Sequence, residues 1–264
     1  MKLAFIGGGT MGEVIIAAVL ANGLAKPQDV AVCEILAQRR DHLTATYGIE
    51  AVDTAPPTLD GADIAVLAVK PQEFSAAARE MSLKPGQTVM SIMAGVTIET
   101  IRAALKHDAI VRAIPNTPAK IGEGMTVWTA TDAVPDAARQ EVQSILAALG
   151  QEMYVDDEKY VDMATAVSSS GPAYIFLVME ALIDSAVHIG LRRDVAQRIV
   201  VQTILGSAKY AQVTGKHPAD LRNEVTSPAG TTTEGLLALE KAGLRLAFTE
   251  AVRAAYEKAK RLGG

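Results

Sequence analysis

Three glycines near the start of the chain have the spacing of a dinucleotide-binding turn. Gly7, Gly9 and Gly12 fit the pattern GxGxxG and directly follow a short apolar run. The first glycine of this pattern permits a tight turn, the second lets a pyrophosphate approach, and the third lets the next helix pack closely. That helix offers free N–H groups and a partial positive charge to the phosphates. A glycine turn without a ligand is the alternative. The predicted cofactor contacts are Ile6, Gly7, Gly9, Thr10, Met11 and Gly12.

Glu34 bears on the choice between the two nicotinamide dinucleotides. It ends the second predicted strand, 22 residues after Gly12, where an acidic side chain can accept hydrogen bonds from the adenosine ribose hydroxyls. A carboxylate there repels the extra phosphate of NADP and so favours NAD, whereas Arg39 and Arg40, close behind it, could hold that phosphate. A solvated strand end beside an exposed helix face is the alternative, and the sequence leaves both interpretations open.

Further turns are predicted at the same edge of the sheet. Lys70 follows an apolar strand at its carboxyl end, where open α/β sheets bind ligands. It suits a phosphate, ribose or carboxamide group, although most lysines are simply exposed. Small residues after the next strand would let a nicotinamide ring approach the backbone. Asn116 and Thr117, in a later turn, fit ligand binding and turn formation equally well. The predicted cofactor contacts in these turns are Ala68, Val69, Lys70, Pro71, Ile92, Met93 and Ala94.

A second polar cluster precedes an apolar helix in the C-terminal half. It contains Ser227, Gly230 and three consecutive threonines, Thr231–Thr233. A helix N-terminus rich in hydroxyls and free N–H groups can bind a carboxylate. Ordinary capping by Thr233 with the nearby Glu234 is the alternative, but it needs fewer hydroxyl groups than this segment supplies.

The first half of the chain alternates β-rich and helical segments, which predicts a mainly parallel sheet with right-handed crossovers. Runs that are apolar throughout are typical of strands covered on both faces. The predicted strands are Lys2–Ile6, Val30–Glu34, Ile64–Val69, Thr88–Met93, Ile110–Ile114 and Met125–Ala130. The predicted helices are Met11–Asn22, Leu36–Tyr47, Gln72–Met81, Thr97–Leu105 and Ala137–Leu149.

The pattern changes near residue 155, which predicts two domains, residues 1–154 and residues 155–264. The second is predicted to be helical, with a break at Gly171–Pro172. Asp194 and Thr233 are expected to open helices, and Gly190 and Gly243 to close them. The first two helical stretches are apolar around most of their circumference, so a partner subunit is expected to cover them. The predicted helices are Lys159–Ile189, Arg193–Thr214, Pro218–Val225, Thr233–Ala242 and Arg245–Leu262.

Composition excludes several function classes. The 264 residues are 49% hydrophobic and 21% charged, which is typical of a globular protein. A net charge of −5 without a basic run argues against nucleic acid and anionic membrane as partners. The apolar runs are too short to span a bilayer, so we expect a cytoplasmic protein. A single cysteine, Cys33, and four scattered histidines indicate neither a disulfide nor a metal site.

At several of these clusters the chain resembles the pyrroline-5-carboxylate reductases, which complete proline biosynthesis. The resemblance extends over essentially the whole chain. The segment Ser227–Thr232, taken together with Gly171–Tyr174, is the most diagnostic part of it. The matching segments are Phe5–Gly12, Ala68–Pro71, Ala94–Thr97, Pro115–Pro118, His217–Pro218, Gly171–Tyr174 and Ser227–Thr232.

The resemblance implies an α/β Rossmann-type N-terminal domain and an all-α C-terminal dimerisation domain. It implies hydride transfer from NADPH or NADH to the C=N bond of 1-pyrroline-5-carboxylate, giving L-proline. It implies a homodimer formed through the helical domain, with assembly into larger homo-oligomers open. Thr232 would be the catalytic hydroxyl, bonded to the ring nitrogen. The implied substrate contacts are Ser227, Gly230, Thr231 and Thr232.

Two residues depart from the family pattern. Ser169 stands where the family usually has a glycine, and Ala229 replaces the first of two glycines after Ser-Pro. Ala229 would be strained if that position requires a positive φ. Two other functions fit the same architecture: another imine reductase or a hydroxyacid dehydrogenase, and a dinucleotide-binding module without catalysis.

Overall fold

The computed structural model describes residues 1–262, and its first part is built on one eight-stranded sheet. The strands are β1 (Leu3–Ile6), β2 (Val30–Cys33), β3 (Glu50–Val52), β4 (Ile64–Leu67), β5 (Thr88–Ser91), β6 (Ile110–Ile114), β7 (Gly124–Ala130) and β8 (Gly150–Tyr154). Their order is β3-β2-β1-β4-β5-β6-β7-β8. All neighbours are parallel except β6 and β7, which are antiparallel. The order reverses between β1 and β4, and sheets of this kind bind ligands at the carboxyl ends of their strands beside such a reversal.

Helices cover both faces of this sheet because its strands are apolar on both sides. Successive side chains of a strand point to opposite faces. In β1, Leu3 and Phe5 accordingly belong to one hydrophobic cluster, and Ala4 and Ile6 to the other. The helices of this part are α1 (Thr10–Ala21), α2 (Ala37–Tyr47), α3 (Ala55–Leu59), α4 (Phe74–Glu80), α5 (Ile98–Leu105), α6 (Asp136–Ala147) and α7 (Lys159–Ala164).

The six predicted strands and five predicted helices of the first half are present, and the parallel sheet is confirmed. Three further elements are not predicted by the sequence pattern. The strands β3 and β8 lie at the two ends of the sheet and are largely exposed, so they carry no apolar run. The helix α3 is only five residues long and contains two prolines, which lie in its first turn, where proline is tolerated.

The second part of the chain is helical, as predicted. It contains α8 (Gly171–His188), α9 (Arg193–Thr214), α10 (Pro218–Glu224), α11 (Thr231–Lys241) and α12 (Leu244–Leu262). The break expected at Gly171–Pro172 is a π-helical turn, Thr165–Ser169, just before α8. Gly190 and Gly243 follow helix ends with φ of +107° and +75°, as a terminating glycine should.

Two predicted capping residues and one predicted helix start are wrong. Helix α9 begins at Arg193, as predicted, but its N-cap is Arg192 rather than Asp194. Helix α11 begins at Thr231 rather than Thr233, and Gly230 is its N-cap. In both cases the residue with a capping side chain lies inside the first turn, because the preceding backbone already has the extended conformation of an N-cap.

The chain divides into two compact units. The sheet unit comprises Met1–Ser170 and the chain from Ala254 onward, and the helical unit comprises Gly171–Arg253. The predicted domain boundary after residue 154 coincides with the end of the last strand, β8. It precedes the boundary between the two compact units, which falls after Ser170.

The helical unit leaves most of its apolar side chains uncovered within one chain. Among the described residues of this unit, the buried hydrophobic side chains are those of Ala196 and Val200. The helical segments from Lys159 to His188 are continuous, and by length and composition alone this stretch is apolar enough to cross a bilayer. The uninterrupted apolar runs in the sequence are shorter and did not indicate this. A helix that is buried among other protein helices meets the same criterion.

Candidate functional site

The glycine turn after β1 is shaped by close backbone contacts. Gly7 has a φ of +101°, and a Cβ built on it would lie 2.8 Å from the backbone carbonyl of Ala68, at the end of β4. A Cβ on Gly12 would lie 2.7 Å from the carbonyl oxygen of Gly7. A Cβ on Gly9 would meet nothing within 4 Å. Gly7 and Gly12 therefore allow close packing of the backbone. Gly9 borders open space, as a residue that faces a ligand must.

The N-terminus of α1 opens at this turn. Gly9 is the N-cap and supplies no side-chain hydrogen bond to the helix. The N–H of Glu13 donates to the Gly9 carbonyl at 2.9 Å. The N–H groups ahead of it in a first helical turn have no partner within the helix. Those of Thr10 and Met11 are thus placed for an anionic group.

Glu34 is buried rather than solvated, which excludes the interpretation as an exposed strand end. Its side chain accepts two peptide N–H groups: Gly8 donates to Oε2 at 2.9 Å and Leu36 donates to Oε1 at 2.9 Å. Residue Glu34 is 8% exposed. The carboxylate therefore joins the glycine turn to the start of α2.

The two arginines behind Glu34 are partly buried and hold different partners. Arg39 donates from Nη2 to the Gly8 carbonyl at 2.6 Å and to Glu13 Oε2 at 2.7 Å. Arg40 donates from Nη1 to the carbonyls of Glu34 and Ile35 at 2.8 and 2.9 Å. Arg39 thus contacts the glycine turn and α1, and Arg40 contacts the end of β2, so neither lies on a free helix face.

Glu13 carries its charge at neutral pH. Burial raises the pKa of this carboxyl group, but hydrogen bonds from Arg39, His42 and Tyr47, together with the Arg39 charge, outweigh burial. The pKa of Glu13 is therefore lower than usual. Because Glu13 is ionised, it neutralises Arg39.

The turns after β4 and β5 lie at the same edge as the glycine turn. Register pairs Ile6 with Leu67, and Leu67 with Ser91, so these strands end side by side. Lys70 follows β4 with a side chain that is 72% exposed and 3.9 Å from Glu73. The structure thus brings together all the residues predicted to contact a cofactor, namely Ile6, Gly7, Gly9, Thr10, Met11, Gly12, Glu34, Ala68, Val69, Lys70, Pro71, Ile92, Met93 and Ala94.

Asn116 has a structural role that the sequence left open. Its side chain accepts the Met125 N–H at 2.9 Å and donates to the carbonyl and hydroxyl of Ser168 at 3.2 and 3.3 Å. It joins the turn after β6 to β7 and to the π-helical turn. Its partners lie far along the chain, so local turn formation does not describe its role.

Arg112 is a buried charge that the sequence analysis did not single out. It is 1% exposed on β6 and forms ion pairs with Glu158, at 2.7 Å, and with Asp162. Glu158 also accepts the Ile98 N–H at the start of α5, at 2.7 Å. The sequence feature that could have identified this buried charge is a single arginine inside the apolar run Ile110–Ile114.

The Ser227–Thr233 segment of the helical unit forms a tight turn that leads into α11. The Gly230 N–H donates to the Ser227 carbonyl at 3.1 Å, and Ala229 between them has a φ of +55°. Ala229 therefore has the positive φ that was the condition for strain at this position. A Cβ on Gly230 would lie 2.5 Å from the Ser227 hydroxyl oxygen and 3.1 Å from the Ser227 carbonyl oxygen, so a larger residue there would require the Ser227 side chain to move.

Capping of α11 by the Thr233 side chain, the alternative to ligand binding at this segment, is not observed. The Thr233 hydroxyl donates to the Ser227 carbonyl at 3.0 Å, and α11 has no side-chain cap at Gly230. Within residues 1–262, the hydroxyls of Thr231 and Thr232 form no hydrogen bond to protein. An open helix N-terminus with two available hydroxyls can accept a carboxylate.

No metal centre accompanies these two sites in the part of the chain that the structure describes, because no three His, Cys, Asp or Glu side chains cluster there. Cys33 is buried, and burial together with nearby carboxylates raises the pKa of its thiol. It therefore packs as a small apolar side chain.

Comparison with known proteins adds independent findings. Residues 158–262 match the family model for pyrroline-5-carboxylate reductase dimerisation, and residues 2–95 match the model for NADP oxidoreductases, coenzyme F420-dependent. The chain is 39% identical to pyrroline-5-carboxylate reductase from Synechocystis sp., over 100% of this chain and 98% of the relative. It is 38% identical to that from Escherichia coli K12, over 99% and 98%.

Solved structures give the same result. The pyrroline-5-carboxylate reductase of Coxiella burnetii matches with a TM-score of 0.91 and 35% identity, over 100% of this chain and 98% of that chain. The Plasmodium falciparum pyrroline carboxylate reductase with NADP bound matches with a TM-score of 0.90 and 29% identity, over 100% and 98%.

Proposed function

The chain belongs to the pyrroline-5-carboxylate reductase family, and we propose that it reduces 1-pyrroline-5-carboxylate to L-proline with NADPH or NADH. The observation that carries this function is the match to reductases of this name along the whole chain, at up to 39% identity. The two sites described above suit the two reactants: a dinucleotide at the sheet edge and a small carboxylate at the start of α11.

The residues at the sheet edge fit a dinucleotide. The open space at Gly9 and the free N–H groups of Thr10 and Met11 would hold the pyrophosphate. Lys70 is exposed enough to reach a phosphate, ribose or carboxamide group. Ile92–Ala94 would border the nicotinamide, which supplies the hydride when bound.

The residues at the start of α11 would hold the substrate. The Ser227 hydroxyl and the N–H groups of Thr231 and Thr232, which follow the N-cap Gly230, would bind its carboxylate. The Thr232 hydroxyl would bond the ring nitrogen, and it is available because it has no hydrogen-bond partner among the described residues. Since a protonated cyclic imine is already an electrophile, these residues need chiefly to orient it.

The helical unit would form a homodimer, in which a second copy covers its apolar surface. Support comes from the dimerisation family matched by residues 158–262 and from exposed side chains such as Phe176, which is 62% exposed. The same contact would bury the apolar stretch Lys159–His188, so we place the enzyme in the cytoplasm rather than in a membrane. Larger assemblies of dimers are compatible with this arrangement.

The reaction is tested by following the nicotinamide absorbance with 1-pyrroline-5-carboxylate added, and by measuring proline. Substrate-dependent oxidation with proline formed is expected. Folded protein that binds the dinucleotide but forms no proline would contradict the function.

Thr232 is tested in the same assay with two variants. Thr232→Val, which keeps the shape but lacks the hydroxyl, should lower kcat roughly tenfold to a hundredfold, as for a lost hydrogen bond to a charged group. Thr232→Ser should keep most of the activity because it retains the hydroxyl. Unchanged kcat in Thr232→Val would remove Thr232 from the mechanism.

A further inference from the structure

The end of β2 contains an arrangement that the reaction itself does not explain. An acidic residue at this position is expected to accept the adenosine ribose hydroxyls and thereby select NAD. In this chain, however, Glu34 is 8% exposed, and each of its carboxylate oxygens accepts a peptide N–H. One of these groups belongs to Gly8, in the middle of the turn that faces the pyrophosphate.

Gly8 is held at both of its peptide groups. Its N–H donates to Glu34 and its carbonyl accepts Arg39, which in turn is paired with Glu13 in the first turn of α1. The turn itself has little intrinsic rigidity because glycine is conformationally permissive. The two contacts therefore fix the conformation from which α1 presents its N–H groups to a phosphate.

Arg40 differs from Arg39 in having no carboxylate partner. Within the described residues Arg39 is paired with Glu13, whereas Arg40 forms no salt bridge and donates only from Nη1, to two carbonyls. These carbonyls belong to Glu34 and Ile35, at the end of β2. The remaining donors of Arg40 thus form an unneutralised guanidinium group where a dinucleotide places its adenosine ribose.

We propose that Glu34 positions the phosphate-binding turn for either dinucleotide, and that Arg40 selects NADPH by binding the 2′-phosphate of its adenosine. This inference rests on the proposed dinucleotide site at the sheet edge but not on the identity of the imine. Guanidinium groups bind phosphate through two parallel hydrogen bonds, which a 2′-hydroxyl cannot offer. The enzyme accordingly binds NADPH more tightly than NADH.

The role of Arg40 is tested by direct titration of the whole protein with two fragments, 2′,5′-ADP and 5′-AMP. Arg40→Met should weaken 2′,5′-ADP binding roughly tenfold to a hundredfold, as for lost charge-assisted hydrogen bonds. Binding of 5′-AMP should change less than about twofold. Arg79→Met, which removes an exposed arginine from α4, is the control and should change neither. Equal binding of 2′,5′-ADP by Arg40→Met and the wild type would overturn the assignment.

The role of Glu34 is tested with NADPH and NADH together. Glu34→Gln retains one acceptor and should raise the dissociation constants of both dinucleotides by the same factor, about tenfold, leaving their ratio unchanged. In turnover assays it should raise KM for both cofactors and leave kcat at saturation within about twofold. Glu50→Gln, an exposed carboxylate on β3, is the control and should behave as the wild type.

One result with Glu34→Gln would contradict the positioning role. If Glu34→Gln improves NADPH binding and weakens only NADH, Glu34 selects between the cofactors and the positioning role is wrong. Because the titrations contain no imine, they report on this inference even if the reduced substrate proves to be another compound. Failure of both fragments to bind the wild type would instead remove the dinucleotide site itself.

Discussion

The two compact units bury their apolar side chains to very different extents. In the sheet unit, Leu3 and Phe5 on one face of β1 and Ala4 and Ile6 on the other are all at most 2% exposed. In the helical unit, α8 has no buried residue, and Phe176 is 62% exposed. The sheet unit therefore completes its core within one chain, whereas the helical unit does not, and we propose that a second copy covers its apolar side chains.

The largest effect is expected from a charge in the exposed apolar surface of the helical unit. Phe176→Asp should break the homodimer at micromolar concentration and lower the melting temperature, because symmetry places the charge in the interface twice. The cost should be about 3 kcal/mol or more per copy. Sedimentation velocity and thermal unfolding measure both.

Ile121→Asp is the matched control for this experiment. Ile121 is also highly exposed, 78%, but it belongs to the sheet unit. Its variant should keep the wild-type mass. If the two variants lose the dimer equally, or neither does, the contrast between the units is wrong.

A smaller effect should separate the two kinds of glycine in the sheet unit. Gly12→Ala introduces a methyl group 2.7 Å from the Gly7 carbonyl oxygen and should lower the free energy of unfolding by about 1–3 kcal/mol. Gly9→Ala meets open space and should leave that free energy unchanged, yet weaken NADPH binding at least about tenfold. Urea unfolding and NADPH titration measure the two effects.

Two outcomes would contradict this distinction. Wild-type NADPH affinity in Gly9→Ala would show that the pyrophosphate lies elsewhere. Unchanged stability in Gly12→Ala would show that α1 does not press against the turn.

The smallest effect is expected at Ala229 in the helical unit. An alanine at a φ of +55° is strained by about 1–2 kcal/mol, and glycine relieves this at an entropic cost of about 0.4–1 kcal/mol. Ala229→Gly should therefore stabilise the protein by about 0.5–1 kcal/mol. The control Ala238→Gly, inside α11, should destabilise it by about 1 kcal/mol. Thermal unfolding that ranks the two variants in the opposite order would exclude strain at Ala229.

The sequence predicts the features of this molecule that depend on residue type and local spacing alone. The glycine turn follows from the conformational freedom of glycine, and Gly7 has the positive φ that such a turn uses. The inner strands follow from their apolar runs. The edge strands β3 and β8 do not, because they are exposed and have a neighbour on one side only.

The partners of individual polar side chains are much harder to predict. Glu34 is identified by its position, but its bonds to Gly8 and Leu36 depend on how the turn and α2 pack. The pairing of Arg112 with Glu158 joins residues 46 positions apart, and no local pattern specifies such a partner. The sequence therefore predicts where the chemistry lies better than which atoms hold it there.

The most direct test of the contrast between the units is the mass of the unliganded chain in solution at micromolar concentration. Sedimentation velocity should give a dimer, twice the 27.7 kDa of one chain, or a larger assembly of dimers. A single species of 27.7 kDa with full helical content would contradict it, because the apolar surface of the helical unit would then be stable in water without a second copy.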